Sequence, residues 1–82
     1  MKAKVYITLK DGVLDPQGKA VMGALDSLGY SEVKDVRVGK LMELELSAAS
    51  KEEAEKRIRE MSEKLLANTV VEEFSIEIEG GE

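Results

Sequence analysis

The spacing of the apolar residues changes several times along this chain, and the order of those changes restricts the folds open to it. Val5, Ile7 and Leu9 alternate with Lys4, Tyr6, Thr8 and Lys10, which puts three aliphatic side chains on one face of a strand. Ala20, Val21, Ala24, Leu25 and Leu28 then follow at helical spacing from Pro16 to Leu28, with Gly29 in the C-cap position. Gly23 within that helix is costly relative to alanine. Period two returns at Val36 and Val38 and again at Met42, Leu44 and Leu46, with Asp35, Arg37, Glu43 and Glu45 on the opposite parity. Ser50 and Glu53 are spaced as a capping box for a second helix that runs to Leu66, with Ala54, Ile58, Met61 and Leu65 on one stripe. Phe74, Ile76 and Ile78 form the inward side of a last strand, opposite Glu73, Ser75, Glu77 and Glu79, ahead of a loose tail, Gly80-Gly81-Glu82. The order is βαββαβ. It predicts an α+β fold, a two-layer sandwich with two helices on one face of a four-stranded antiparallel sheet, and ferredoxin-like topology is the economical arrangement.

Parity fixes the register expected of the central hairpin. A turn of Gly39-Lys40 alone would set Val36 against Glu43 and Arg37 against Met42, mixing apolar and charged side chains on each face. A three-residue loop, Gly39-Lys40-Leu41, or a two-residue turn with a bulge, instead pairs Val38 with Met42, Val36 with Leu44 and Arg37 with Glu43. Leu41 is then left at the hairpin tip with Lys40 projecting beside it.

Residues 1–82 make one domain, and a chain of this size buries only about 60–65% of its unfolded surface, so self-association is expected to add to its stability. It contains no cysteine and no histidine, which removes the disulfide, the thiolate nucleophile and the commonest general base and metal ligand. A net charge of −5 and three aromatics, Tyr6, Tyr30 and Phe74, speak against nucleic acid or an anionic membrane as partner. No apolar run approaches a signal core or a spanning helix, and a cytoplasmic location is expected.

The stretches that could carry chemistry have simpler structural uses. Gly12 and Gly18 bracket a strand-to-helix loop, yet they fit neither G-x-G-x-x-G nor G-K-[ST], and Asp15 at the helix cap competes with any anion for the helix amides. Glu43, Glu45, Glu73, Glu77 and Glu79 alternate along strands without a ligand motif, so no metal site is expected. Met22, Met42 and Met61 fill gaps at apolar positions. Glu52–Lys56, Glu53–Arg57, Glu55–Arg59 and Glu60–Lys64 are spaced as ion pairs on a solvated helix face. Arg37, Lys40 and Leu41 are different, because they gather two cations and an aliphatic at one hairpin of an acidic chain, as an interface anchor would. The structural alternative is an Arg37–Glu43 pair with Leu41 folded over the hairpin.

The stretch Lys10-Asp11-Gly12-Val13-Leu14-Asp15-Pro16-Gln17-Gly18 is more specific than its local roles require. Asp11-Gly12 makes a turn, Asp15 caps a helix, and Pro16 fits the first helical position, where no backbone N–H is needed. Followed by Ala20-Val21, Ala24-Leu25, Leu28-Gly29-Tyr30, Val36-Arg37-Val38-Gly39-Lys40 and the run from Lys64 to Phe74, it resembles the PurS family, small subunits of phosphoribosylformylglycinamidine synthase. Thr69 stands where family members commonly carry proline.

The resemblance implies a non-catalytic subunit of a C–N ligase in purine biosynthesis. That enzyme converts phosphoribosylformylglycinamide, glutamine and ATP to phosphoribosylformylglycinamidine, glutamate, ADP and phosphate. Its small subunit is expected to bridge a large synthetase subunit and a glutaminase subunit, to assist ammonia transfer, and to associate with itself as a dimer or higher oligomer. ATP, Mg²⁺ and glutamine then belong to the other subunits, and this chain has no cofactor, metal or catalytic residue of its own. The missing cysteine and histidine fit glutamine hydrolysis on the glutaminase, and the missing phosphate loop fits ATP activation on the synthetase. Candidate partner contacts are Asp11, Gly12, Gln17, Gly18, Arg37, Lys40 and Leu41. The rival is a dimeric βαββαβ regulatory domain in which Gly12 and Gly18 meet a small molecule.

Overall fold

β1 (Lys2–Leu9) has the most apolar alternation in the chain, and in a computed structural model describing residues 1–80 it lies at the centre of the sheet. β2 (Lys40–Glu45) pairs antiparallel on one side, with Val5 opposite Met42 and Ala3 opposite Leu44. β3 (Glu72–Glu79) pairs antiparallel on the other, with Val5 opposite Ile76 and Ile7 opposite Phe74. Period two therefore sends Ala3, Val5 and Ile7 to one face, where all three are buried.

Helix α2 (Lys51–Met61) covers that face through Ala54 and Ile58, both fully buried. Its start has the predicted cap, Ser50 Oγ accepting from the Glu53 amide at 3.1 Å, while the return bond falls one residue before the cap, the Glu53 carboxylate accepting from the Ala49 amide at 3.0 Å. Its end departs from the predicted stripe. The buried Ser62 hydroxyl donates to the Ile58 carbonyl at 2.8 Å, and Ser62–Leu66 form a π-helical turn closed by Ala67 N–H to Ser62 O. The wider turn shifts the following side chains around the axis, so Leu65 is 81% exposed while Leu66 and Ala67 face the core. Of the four anticipated pairs on the outer face, Glu55–Arg59 forms, at 3.8 Å. Among the described residues the other three do not; Arg57 pairs with Glu60 and Glu53 is occupied at the cap.

Two larger expectations fail. There is no strand at Val36–Val38: the sheet of the described residues has three strands in the order β2-β1-β3, not the four a ferredoxin-like sandwich needs. The pairs Val38–Met42, Val36–Leu44 and Arg37–Glu43 do not form, because β2 begins at Lys40 and runs directly alongside β1. Leu41 is accordingly a ladder residue opposite Tyr6, not a hairpin tip.

The two helices also do not share one face of the sheet as a closed layer. Helix α1 (Pro16–Ser27) has its predicted signals, Pro16 at its start and Gly29 at φ 100° just past its end, yet Gly18 is its one buried residue. It makes no extensive contact with any strand or with α2. The described chain measures 50 × 26 × 14 Å with a radius of gyration of 16.2 Å, where a compact domain of this length has about 12 Å. α1 is an arm projecting from the sheet. Of the predicted tail, Gly80 follows β3 at φ 73°, and Gly81 and Glu82 lie outside the described residues.

Candidate partner-contact surface

The base of the arm is held by one buried carboxylate. Asp15, 6% exposed, caps α1 by accepting from the Gly18 amide at 2.8 Å, and its second oxygen accepts from the Val38 amide at 2.8 Å. These two amides, with the nearby Arg37 guanidinium, hold the Asp15 carboxyl below its ordinary range against the opposing effect of burial. Arg37 reaches the same loop from the other direction, donating to the carbonyls of Leu9 and Lys10 at 3.0 Å and of Val13 at 3.3 Å. Leu9 ends β1, and Lys10 and Val13 follow it in the loop that leads to α1.

Two glycines let the backbones close in. A side chain at position 18 would collide with the Val36 carbonyl oxygen, and one at position 39 would lie 2.5 Å from the Ile7 carbonyl oxygen. Val36 and Val38 thus obey period two without joining a ladder, since their segment is tied down by Asp15 and Arg37. Gly18 faces the protein's own backbone, which argues against a ligand contact there.

The predicted contact residues divide accordingly. Gly18 and Arg37 converge on Asp15, as working parts of the arm's base. Asp11 and Gly12 sit exposed at the loop tip, Gly12 at φ 85°, and Gln17 is exposed on the first turn of α1. Lys40 and Leu41 are neighbours in sequence but lie on opposite faces of the sheet. Lys40 reaches across to Glu72 at 3.4 Å, and Leu41, 53% exposed, lies beside Tyr6 on the outer face. Glu72 also accepts from the Asn68 amide at 2.7 Å; this bond, with Lys40, keeps its carboxyl below the ordinary range.

On the outer face Lys4 pairs with Glu79 at 3.4 Å and Tyr6 donates to Glu77 at 3.3 Å. No three acidic, histidine or cysteine side chains among the described residues converge as a metal site. No helix among them is long and apolar enough to cross a membrane.

Sequence reasoning passed over the largest feature. Leu14, Val21, Leu28 and Tyr30 are exposed along the arm, with Met22 and Leu25 only half-buried. On the sheet, α2 covers β1 and β3, which leaves Met42 and Leu44 of β2 and the following Leu46 half-buried on the helix-bearing side. One chain therefore presents an apolar helix without a sheet and an apolar sheet margin without a helix. The helical period was visible in the sequence, but nothing in it said that the face would stay uncovered.

A family model described as PurS, phosphoribosylformylglycinamidine (FGAM) synthase, matches residues 2–80. The PurS subunit of this synthase from Bacillus subtilis is 53% identical over 78 residues, covering 95% of this chain and 92% of that protein. The Archaeoglobus fulgidus subunit is 51% identical over 76 residues, covering 93% and 95%. Among solved structures, B. subtilis PurS superposes with a TM-score of 0.85 at 53% identity, covering 96% of this chain and 98% of that one. A chain in the structure of PurLQS from Thermotoga maritima superposes with a TM-score of 0.85 at 33% identity, covering 93% of each.

Proposed function

The chain belongs to the PurS family and is a subunit of phosphoribosylformylglycinamidine synthase in purine biosynthesis, and from that premise we propose that it acts by assembly, bridging the synthetase and glutaminase subunits. The observation that carries the proposal is the uncovered arm. A chain that leaves Leu14, Val21, Leu28 and Tyr30 in water, beside a half-covered β2 margin, is built to be covered by other protein.

The first cover is a second copy. An isologous pair lays each α1 over the Met42–Leu46 margin of the other sheet, which closes the second layer that one chain leaves open. Asp11, Gly12 and Gln17 at the arm's base, and Leu41 with Tyr6 on the outer face, remain exposed for the larger subunits. Without cysteine or histidine this chain offers no nucleophile or imidazole base for glutamine hydrolysis, so that step falls to the glutaminase. ATP and Mg²⁺ fall to the synthetase. The small subunit holds the two so that ammonia passes from one site to the other, in the cytoplasm.

The test is capture of purified synthetase and glutaminase subunits by the immobilised chain, with and without glutamine and ADP. A ternary complex is expected; retention of neither subunit under any condition would overturn the proposal.

A further inference from the structure

The arm, residues 10 to 39, leaves the sheet at one place, and its direction is fixed there by very few groups. Asp15 spends one carboxylate oxygen on the cap of α1 and the other on Val38, 23 residues away, whereas a helix cap needs only the first. Arg37 gathers the carbonyl of Leu9 at the end of β1 and those of Lys10 and Val13 in the outgoing loop. Gly18 and Gly39 admit backbone approaches that a Cβ would block. Beyond this node no residue of α1 is fully buried, Met22 and Leu25 are only half-buried, and the helix has no extensive contact with a strand or with α2 that would set its angle.

We propose that the Asp15–Arg37 node is an orientation lock, which aims the α1 arm before any partner covers it. This deepens the reading that α1 is covered by other protein and rests on it for its purpose. A helix swinging on two connections would lose that freedom on docking, at a cost to affinity that a pre-aimed arm avoids. The lock joins the outgoing and returning connections across the arm's base. Outgoing carbonyls bind a side chain of the returning segment, and a returning amide binds a side chain of the outgoing loop.

Asp15→Asn separates locking from capping, because asparagine is as good a helix cap but its amide nitrogen cannot accept the Val38 N–H. Arg37→Met removes the guanidinium and keeps the apolar stem of an exposed residue. The chain has no cysteine, so spin labels at Ser27→Cys on α1 and Ser75→Cys on β3 report the arm's angle alone. Labels are measured in a Leu28→Ser background, which leaves the arm uncovered, and in excess unlabelled chain. The lock predicts a single narrow distance distribution in that background. It predicts at least a twofold broader one with Asp15→Asn or Arg37→Met, at unchanged helix content by circular dichroism. With Leu28 retained, the same two substitutions weaken self-association at least tenfold. A broad distribution in the Leu28→Ser chain, or an unchanged width in both variants, overturns the lock. Narrow and broad distributions as expected, in a chain that never self-associates, uphold the lock and sink the dimer reading instead.

Discussion

Replacing Leu28 by serine tests the arm as an interface, with a size that follows from the structure. Leu28 closes the C-terminal end of α1 and is 72% exposed. Burying a whole leucine side chain contributes about 1.5–3 kcal/mol, so covering the part now in water contributes about 1–2 kcal/mol per protomer. An isologous interface contains the residue twice, which brings the loss to about 2–4 kcal/mol. At 1.4 kcal/mol per tenfold, Leu28→Ser should weaken dimerisation by roughly 30- to 1,000-fold. The folded protomer should lose within about 0.5 kcal/mol, as at other surface positions. Sedimentation equilibrium over a wide concentration range reads the first effect, and urea unfolding below the dissociation range of both proteins reads the second. An unchanged dissociation constant would show that this face is not the interface. A protomer destabilised by several kcal/mol would show that Leu28 packs within its own chain.

Three further outcomes are expected. Ile58→Ala, at a fully buried contact between α2 and the sheet, should cost about 2–5 kcal/mol in urea unfolding, and a loss below 1 kcal/mol would contradict the core described. Asp15 and Glu72 have folded carboxyls below the ordinary range, so their contributions are complete above that range and disappear as pH falls through it toward the folded values. Acid titration of thermal stability should show that loss, reduced in Asp15→Asn; a native profile flat below pH 4 would contradict it. Leu41→Asp should leave the melting temperature unchanged while weakening capture of the larger subunits, whereas Lys40→Glu should lower it by opposing Glu72; the reverse pattern would contradict the two faces assigned to them.

What the sequence made legible was whatever depends on near neighbours. The alternation in β1 and β3, the Asp15-Pro16 start of α1 and the Ser50–Glu53 cap of α2 all appear where the spacing puts them. Val36 and Val38 misled because their parity is that of a strand, while the groups that claim their segment are a carboxylate and a guanidinium whose partners lie more than 20 residues away. Leu65 misled because a single serine hydroxyl opens a π-helical turn, after which the helical period starts from a new phase. For the candidate surface, Gly18 and Arg37 stood out in the motif because the chain's own backbone needs them. α1 showed an apolar stripe, and a stripe says that a face will be buried without saying in which molecule.

The most direct measurement of the bridging role compares two nitrogen sources. Purified synthetase and glutaminase subunits are assayed for phosphoribosylformylglycinamidine formation from glutamine and from ammonia, with and without this chain. If the chain acts by holding the glutaminase against the synthetase, its omission abolishes glutamine-dependent synthesis and leaves ammonia-dependent synthesis in place. Equal glutamine-dependent rates with and without the chain, or turnover by the chain alone, would contradict the account.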